Sequence, residues 1–272
     1  MDFSDSQLER YSRHIILKDV GIEGQQRIVG GKILIIGAGG LGAPAGLYLA
    51  AAGVGTIGIA DGDSVDLSNL QRQIIHFTSD VGRPKVVSAK EKMEKINPET
   101  RVIVHKERLF AGNISRIVRD YDFIIDGTDN FPAKFLINDA CVFEGRPFSH
   151  GGILRFDGQT MTYVPGHTCY RCIFREPPPK NAVPTCSQAG VLGAVAGMLG
   201  TIQAAEALKF LIGKGKLLTD RLLIFNALEM EFRTASFRKN PDCPICGRNP
   251  IITVLKDYEH PTCELKHSGK EI

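Results

Sequence analysis

Four closely spaced glycines near the start of the chain have the spacing of a phosphate-binding loop. They belong to the sequence GAGGLG (37–42), which follows an apolar run at 32–36 that predicts a buried strand and leads into a predicted helix at 41–53. In that setting glycines permit a tight turn, and backbone N–H groups at the helix start face a phosphate. Asp61 ends the next predicted strand, where its carboxylate can accept hydrogen bonds from a ribose. The motif alone favours a nicotinamide-dependent dehydrogenase, and a glycine-rich turn without a ligand is the alternative.

Two cations further along the chain favour a nucleotide triphosphate over a dinucleotide. Arg72 lies in the segment SNLQRQ (68–73), and Lys85 lies in GRPK (82–85). Cationic side chains offset the charge on phosphoryl oxygens, which a triphosphate requires and a nicotinamide cofactor does not. Either residue alone would be explained better as a solvated surface charge.

Asp129 is a candidate ligand of Mg²⁺. It lies in GTDN (127–130), directly after a predicted strand at 122–126. Ligands of parallel α/β sheets bind beyond the carboxyl ends of the strands. Mg²⁺ in such sites binds one or two carboxylates together with phosphate oxygens. An Asx turn that caps the predicted helix beginning at 131 explains Asp129 equally well.

Two Cys-x-x-Cys pairs predict a structural zinc site. The pairs are Cys169 with Cys172 and Cys243 with Cys246. Four thiolates from two such turns form a closed tetrahedral Zn²⁺ site without an open coordination position. Because 70 residues separate the pairs, the metal would fasten the C-terminal part of the chain to the rest. A redox-active pair is the rival, but two pairs in one chain favour zinc.

The other cysteines lie in different surroundings. Cys186 directly precedes a predicted helix at 190–213 and follows a proline-rich segment at 175–185 that we expect to be mobile. A helix N-terminus favours the thiolate, so Cys186 is a candidate nucleophile, with an incidental cysteine as the alternative. Cys141 lies in an apolar predicted helix and is expected in the core, and Cys263 has no assigned role.

The composition is that of an ordinary folded protein. The 272 residues carry a formal net charge of +3, with 43% hydrophobic and 23% charged residues, and no basic stripe indicates a nucleic-acid partner. Two long uncharged runs, 33–60 and 181–205, contain glycine, proline or polar residues, whereas a membrane span needs about 20 apolar residues. The N-terminus lacks a secretory signal. Seven cysteines in such a chain argue against a disulfide framework, so we expect a cytoplasmic protein.

Strands and helices alternate through the first part of the chain, which predicts a doubly wound, mostly parallel α/β sheet. The predicted strands, besides 32–36, lie at 56–61, 102–105, 122–126 and 147–152. The predicted helices, besides 41–53, lie at 5–28, 83–97, 113–121 and 131–145.

The later part of the chain departs from this alternation and predicts an antiparallel C-terminal extension. A hairpin is expected over 153–164 around Asp157-Gly158, followed by a long buried helix at 190–213 and a pair of strands at 221–237. We expect one domain over residues 1–272. Its N-terminal helical segment covers 1–30, and its flexible tail covers 256–272.

Taken together, these motifs resemble the MoeB/ThiF/HesA family of bacterial E1-like enzymes. The resemblance runs in order from about Leu8 to Gly247. It rests on RYSRHIIL (10–17), GAGGLGAP (37–44), DGDSVDLSNLQRQ (61–73), GRPK (82–85), DGTDN (126–130), CYRC (169–172), TCSQAGVLG (185–193) and CPIC (243–246).

The resemblance implies a Rossmann-like E1 adenylation fold, usually a homodimer. Such enzymes use ATP with Mg²⁺ to adenylate the C-terminal glycine of a small ubiquitin-like sulfur-carrier protein that ends in Gly-Gly. Asp129 would hold Mg²⁺, and Arg13 would reach the phosphates from the other subunit. The residues implied to bind the nucleotide are Arg13, Gly40, Asp61, Ser68, Asn69, Leu70, Gln71, Arg72, Lys85, Asp129 and Asn130.

Sulfur transfer and pathway are implied less closely. Cys186 matches the family's loop cysteine, which takes part in sulfur transfer in ThiF-like members. The segment after Cys246 is too short for the rhodanese domain of larger relatives, so we expect a separate sulfur donor. The carrier would serve molybdopterin or thiamine biosynthesis. The alternatives are a related ATP-dependent tRNA dehydratase, a nicotinamide-dependent dehydrogenase and a non-catalytic carrier-binding scaffold.

Overall fold

A computed structural model describes residues 3–179 and 189–258. The strands are β1 (Lys32–Ile36), β2 (Thr56–Ala60), β3 (Arg101–His105), β4 (Phe123–Asp126), β5 (Phe148–Leu154), β6 (Asp157–Tyr163), β7 (Arg221–Asn226) and β8 (Glu231–Ser236). The helices are α1 (Asp5–Ile15), α2 (Gly21–Gly30), α3 (Gly42–Ala52), α4 (Lys85–Ile96), α5 (Ile114–Val118), α6 (Phe131–Phe143), α7 (Tyr170–Ile173) and, as α8, Gly193–Ile212.

The eight strands form one sheet in the order β3-β2-β1-β4-β5-β6-β7-β8. The strands from β3 to β5 pair in parallel, and β6, β7 and β8 continue the sheet in antiparallel pairing. The predicted fold class, a mostly parallel doubly wound sheet with an antiparallel extension, is therefore confirmed.

Helices cover both faces of the parallel strands, which explains why those strands are continuous apolar runs instead of alternating ones. Every residue of β4 is buried, and so are the last four residues of β1. One core lies between the sheet and α3, α4 and α8, and the second lies between the sheet and α5 and α6.

Helix α8 is the central element of the first core. It is the one helix within the described residues that is long and apolar enough to cross a membrane, with a mean hydropathy of 1.3 over its best window. Half of that window is buried inside the protein. Its Ala204 and Ala207 belong to the core beneath the sheet, so α8 is a core helix.

Two predicted elements differ from the structure. The predicted helix at 5–28 is divided into α1 and α2 because Val20 and Gly21 both donate backbone hydrogen bonds to the Leu17 carbonyl and close a turn. The predicted hairpin turn at Asp157-Gly158 is wrong, since the chain turns at Arg155-Phe156.

Gly158 lies within a strand of the hairpin and is needed there for packing, not for the turn. It lies within β6, and a Cβ atom there would come within 2.3 Å of the Phe225 ring. The glycine is needed for that close packing, and the turn is formed by Arg155, which adopts a φ of 57°. Cys186, most of the segment 175–185 and most of the tail 256–272 lie outside the described residues.

Candidate functional site

A cavity of about 380 Å³ opens at the carboxyl ends of the parallel strands. It lies where β1 has β2 on one side and β4 on the other, the point at which the strand order reverses and ligands of such sheets bind. The cavity wall includes six of the residues predicted for nucleotide binding: Gly40, Asp61, Arg72, Lys85, Asp129 and Asn130.

The glycine loop forms one wall of this cavity. A Cβ atom at position 42 would come within 1.9 Å of the Gly37 carbonyl oxygen, so the turn from β1 into α3 requires glycine there. Asp61 holds the loop from one side, because its Oδ2 accepts a hydrogen bond of 2.8 Å from the Ala38 N–H. The carboxylate that the sequence predicts for ribose binding therefore holds the glycine loop in this structure.

His76 holds the same loop from the other side and was not anticipated from the sequence. Its Nε2 lies 2.9 Å from the Ala38 carbonyl oxygen, and its Nδ1 lies 2.9 Å from the Ser88 hydroxyl. Since a carbonyl oxygen only accepts, Nε2 carries the proton and donates it, and in the neutral ring Nδ1 accepts from Ser88. Burial lowers the pKa of His76 and keeps the ring neutral.

The two predicted cations face the cavity in different ways. Arg72 donates from Nη1 to the Ser68 carbonyl oxygen at 3.0 Å. Lys85 lies at the start of α4 with its Nζ 3.3 Å from the Asp63 carboxylate, which is itself largely exposed. The side chain of Lys85 is itself only 9% exposed, so this ion pair is only partly accessible to water.

The segment before Arg72 shapes the turn that presents it. Ser68 and Asn69 form a short 3₁₀ turn in which the Asp66 carboxylate accepts from the Ser68 N–H. The Asn69 carbonyl accepts from the Arg72 N–H at 3.1 Å. The cavity wall includes Arg72 and Gln73 but not the predicted nucleotide-binding residues Ser68, Asn69, Leu70 and Gln71.

The sequence left open whether Asp129 caps the following helix or is free to bind Mg²⁺, and the structure distinguishes these two roles. Asn130 caps α6, since its Oδ1 accepts a hydrogen bond of 2.9 Å from the Ala133 N–H. Asp129 is exposed in the cavity wall, and its carboxylate has no hydrogen bond or ion pair to any described residue. The helix cap therefore belongs to Asn130, and the Asp129 carboxylate remains free to bind a cation.

A buried ionic cluster lies beneath this loop, and the sequence did not reveal it. The fully buried Asp126 carboxylate contacts Lys134 Nζ and His150 Nδ1, each at 3.1 Å from its Oδ2. Burial raises the pKa of Asp126, but the Lys134 charge and the His150 hydrogen bond outweigh it and lower that pKa to about 2. Gln203 of α8 joins the cluster by donating to the Asp126 and Ser149 carbonyls.

Arg13 does not line the cavity of its own chain. It lies on the exposed face of α1, and the wall of the cavity does not include it. Cys141 is fully buried in the second core, as predicted, and burial raises the pKa of its thiol well above the usual value.

The four paired cysteines form one cluster on the second face of the sheet. The Sγ atom of Cys169 lies 3.9 Å from that of Cys172, 3.6 Å from that of Cys243 and 3.4 Å from that of Cys246. A tetrahedral zinc ion with Zn–S bonds of about 2.3 Å places its sulfur ligands about 3.8 Å apart. The cluster therefore fits zinc and leaves no coordination position for a substrate.

The residues between the first two cysteines pack on α6. The Tyr170 N–H donates to Asn138 Oδ1 at 2.8 Å, and the Tyr170 ring lies 4.6 Å from the His150 ring. Arg171 makes a bidentate ion pair with Asp139, with N–O distances of 2.7 and 2.8 Å. The same helix thus carries Asn130 at its start and contacts the cysteine cluster at its middle.

Comparison with known proteins agrees with this geometry. The model of the ThiF family matches residues 11–245. The SAMP-activating enzyme E1 of Haloferax volcanii is 47% identical over 249 residues, which cover 92% of each chain. The sulfur carrier protein adenylyltransferase of Thermus thermophilus is 45% identical over 265 residues, covering 95% of this chain and 98% of that protein.

Longer relatives and solved structures extend the comparison. The probable adenylyltransferase/sulfurtransferase MoeZ of Mycobacterium tuberculosis is 48% identical over 94% of this chain, which spans 65% of that protein. A crystal structure of E. coli MccB shares the fold, with a TM-score of 0.81 at 21% identity over 95% of this chain and 76% of that one. The match over residues 11–245 and these identities lead to one conclusion: the chain belongs to the ThiF family.

Proposed function

We propose that this protein is an adenylyltransferase that activates the C-terminal glycine of a ubiquitin-like sulfur-carrier protein at the expense of ATP. The observation that carries the proposal is the cavity at the reversal of strand order, which combines a glycine loop, two cations and one free carboxylate. Relatives named as sulfur carrier protein adenylyltransferase and SAMP-activating enzyme E1 support the reaction. The pair Arg72 and Lys85 beside the glycine loop favours a triphosphate over a nicotinamide dinucleotide, which carries fewer phosphate charges.

In the proposed reaction, the carrier carboxylate attacks the α-phosphorus of ATP. A bond forms between the carboxylate oxygen and that phosphorus, the bond to the bridging oxygen breaks, and pyrophosphate leaves. Arg72 and Lys85 offset the charge on the phosphoryl groups, and Gly40 and Asp61 lie beside the adenosine. The carboxylate is already ionised at neutral pH, so no general base is needed. Catalysis then consists of positioning and charge stabilisation.

The free carboxylate of Asp129 would hold Mg²⁺, with Asn130 beside it. Mg²⁺ bound there would neutralise charge on the phosphates of ATP. Ser68, Asn69, Leu70 and Gln71 support the nucleotide from the turn that carries Arg72. We further propose a cytoplasmic homodimer in which the exposed Arg13 of one subunit reaches the phosphates in the other.

The carrier is proposed to dock on exposed apolar side chains next to the cavity. Phe156, Leu192, Leu228 and Met230 are all exposed, and we call them the mouth cluster. Backbone hydrogen bonds join their segments, since Leu192 donates to the Arg155 carbonyl and Ala227 donates to the Phe156 carbonyl. The cluster adjoins Ile153 and Val191, which line the cavity. A carrier seated there would direct its flexible Gly-Gly end into the cavity.

Sulfur chemistry would follow adenylation. The Cys186 thiolate is proposed to attack the carbonyl carbon of the acyl-adenylate, which forms a thioester and releases AMP. If Cys186 carries a persulfide supplied by the sulfur donor, its outer sulfur would attack in the same way and form an acyl disulfide that reductant cleaves. The sulfur donor is proposed to be a separate protein. The four-cysteine cluster would hold zinc in a structural role. The pathway would be molybdopterin or thiamine biosynthesis, and residues 1–272 would act as one adenylation domain.

Exchange of labelled pyrophosphate into ATP tests the proposal. We expect exchange only in the presence of a carrier, so carriers of the molybdopterin and thiamine types are assayed beside the same carriers lacking the last glycine. Met230→Asp is expected to raise the carrier concentration for half-maximal exchange and to leave that for ATP unchanged. Equal exchange with carriers that have and that lack the terminal glycine would contradict the proposal. A requirement for tRNA would contradict it as well.

A further inference from the structure

We infer that Lys134 is a positioning residue that holds the loop 127–130 so that the Asp129 carboxylate faces the bound nucleotide. The inference rests on the proposed nucleotide site. Lys134 lies in the first turns of α6 and is only 6% exposed. Its ammonium group donates to Asp126 Oδ2 at 3.1 Å, to the Thr128 carbonyl at 2.7 Å and to the Gly151 carbonyl. All three protons of the ammonium group therefore have an acceptor.

Lys134 and Asp126 together fix every polar group of Thr128. The Asp126 Oδ1 atom accepts from the Thr128 N–H at 3.0 Å and from its hydroxyl at 2.6 Å. Lys134 takes the remaining group, the Thr128 carbonyl. On the other side of Asp129, Asn130 is fixed as the cap of α6. Asp129 is thus held between two immobilised neighbours while its own carboxylate stays free.

Lys134 also joins two strands where their pairing ends. The last parallel pair between β4 and β5 is Asp126 with His150. Gly151 is the next residue of β5, and its carbonyl accepts from Lys134. The ammonium group therefore bridges β5 and the loop that leaves β4, at the edge where the cavity opens.

The burial of the Lys134 charge is better explained by a role in positioning the loop 127–130 than by a contribution to folding stability. A buried ion pair contributes little net stability compared with apolar residues of the same volume, because both charges lose their hydration. Residues that orient a metal ligand from behind, in contrast, change metal affinity by about 10–100-fold when they are replaced. Lys134 contacts the backbone of the residue next to Asp129, which is the position such a residue must occupy.

The affinity for ATP, measured by calorimetry with Mg²⁺ and with EDTA, tests this role. The ratio of the two affinities measures what Mg²⁺ adds. We expect Lys134→Met to lower that ratio by about tenfold and to leave the affinity in EDTA nearly unchanged. Lys134→Arg keeps the charge and its donors and is expected to retain most of the ratio. In a chain that already carries Asp129→Ala, Lys134→Met is expected to have no further effect on the ratio.

Glu206→Gln is the matched control. Glu206 is also buried and charged, and it accepts from the Thr162 hydroxyl and the Leu218 N–H. None of these three residues lines the cavity. We expect this variant to lower the melting temperature without changing the ratio. The inference is wrong if Lys134→Met, like Glu206→Gln, leaves the ratio unchanged. It is also wrong if Lys134→Met lowers the affinity for ATP equally with and without Mg²⁺.

Two further outcomes keep the test decisive. If Lys134→Met does not fold, Thr128→Val, which removes only the hydroxyl bond to Asp126, is expected to lower the ratio several-fold. An unchanged ratio in that variant would overturn the inference. A wild-type protein that shows the Mg²⁺ effect but no carrier-dependent exchange contradicts the proposed function and leaves the role of Lys134 standing, whereas a wild-type protein without the effect overturns both.

Discussion

The proposed nucleotide cavity and the four-cysteine cluster both adjoin helix α6, but their polar groups are paired to very different extents. In the cavity, Asp129 is unpaired among the described residues and Lys85 has only a largely exposed partner. In the cluster, every sulfur lies within 4.8 Å of the other three, so the group is closed. This is the difference expected between a site that accepts and releases a ligand and a site that would hold a single ion permanently.

Helix α6 connects the two regions. Its N-terminal cap borders the cavity, while Asn138 and Asp139 contact the residues between Cys169 and Cys172. We expect substitutions of cavity residues to lower adenylation activity without changing the melting temperature. Substitutions of the cluster cysteines are expected to lower the melting temperature.

Replacement of Asp129 gives the largest expected effect. Asp129→Ala should reduce pyrophosphate exchange by about 100–1,000-fold, as expected when one group that stabilises developing charge is removed. The melting temperature should stay within experimental error, because the carboxylate contacts no other described side chain. Normal exchange in this variant would remove Asp129 from the site.

Replacement of a cluster cysteine should produce the opposite pattern. Cys243→Ser is expected to lower the zinc content and the melting temperature, since metal binding contributes directly to folding. Below the new melting temperature, any exchange activity that remains should have an unchanged Mg²⁺ dependence. Full stability after loss of the metal would show that the cluster does not fasten the C-terminal strands.

The role of Arg13 across the dimer predicts complementation. Arg13→Ala and Asp129→Ala are each expected to be inactive, but a mixture should recover about a quarter of the wild-type activity after random exchange of subunits, because half of the dimers then contain one intact site. Wild-type subunits labelled with a dye monitor the exchange. Complete exchange without recovered activity would contradict a contribution of Arg13 in trans.

The neutral His76 predicts a pH dependence of stability. Burial first, and then the charges of Lys85 and Lys92, lower the pKa of His76, against the opposing effects of the Ala38 hydrogen bond and Asp80. Because the folded pKa lies below the unfolded value, the stabilisation is fully present above about pH 6.5 and is lost as the pH falls below it. Thermal melts from pH 7 to pH 5 should show a smaller decrease for His76→Gln than for the wild type. Equal slopes would argue against a buried neutral ring.

Replacement of Cys186 should have the smallest effect on adenylation. Cys186→Ser is expected to retain full pyrophosphate exchange and zinc content but to lose any reductant-cleavable link to the carrier. The measurement pairs the exchange assay with non-reducing electrophoresis of enzyme and carrier. Loss of exchange in this variant would show that adenylation and the thiol step are not separate.

The sequence correctly predicted those elements that depend on short local patterns of residues. The strands β1, β2 and β4 follow from short apolar runs, and the glycine loop from its spacing and its place between a strand and a helix. The four cysteines were assigned from their pairing alone, and the structure brings them together.

Tertiary contacts decided what the sequence did not reveal. Lys134 lies in a largely apolar helix and Asp126 at the end of a buried strand, so nothing local indicates that β5 and α8 complete an ionic cluster around them. The prediction of a turn at Asp157-Gly158 failed because Gly158 lies inside β6 and packs against Phe225. Phe225 belongs to β7, which is far away in sequence but adjacent in the sheet. His76 lies three residues beyond the segment 68–73 that carries Arg72, and only the fold brings its ring to the Ala38 carbonyl.

The mass of the carrier after incubation with the enzyme and Mg²⁺–ATP tests the central claim most directly. Rapid acid quenching followed by mass spectrometry of the intact carrier should show the addition of one adenylyl group at the C-terminal glycine, formed with wild-type enzyme and absent with Asp129→Ala. A carrier that gains no adenylyl group while ATP is bound, or that gains it elsewhere than at the terminal glycine, would contradict the account.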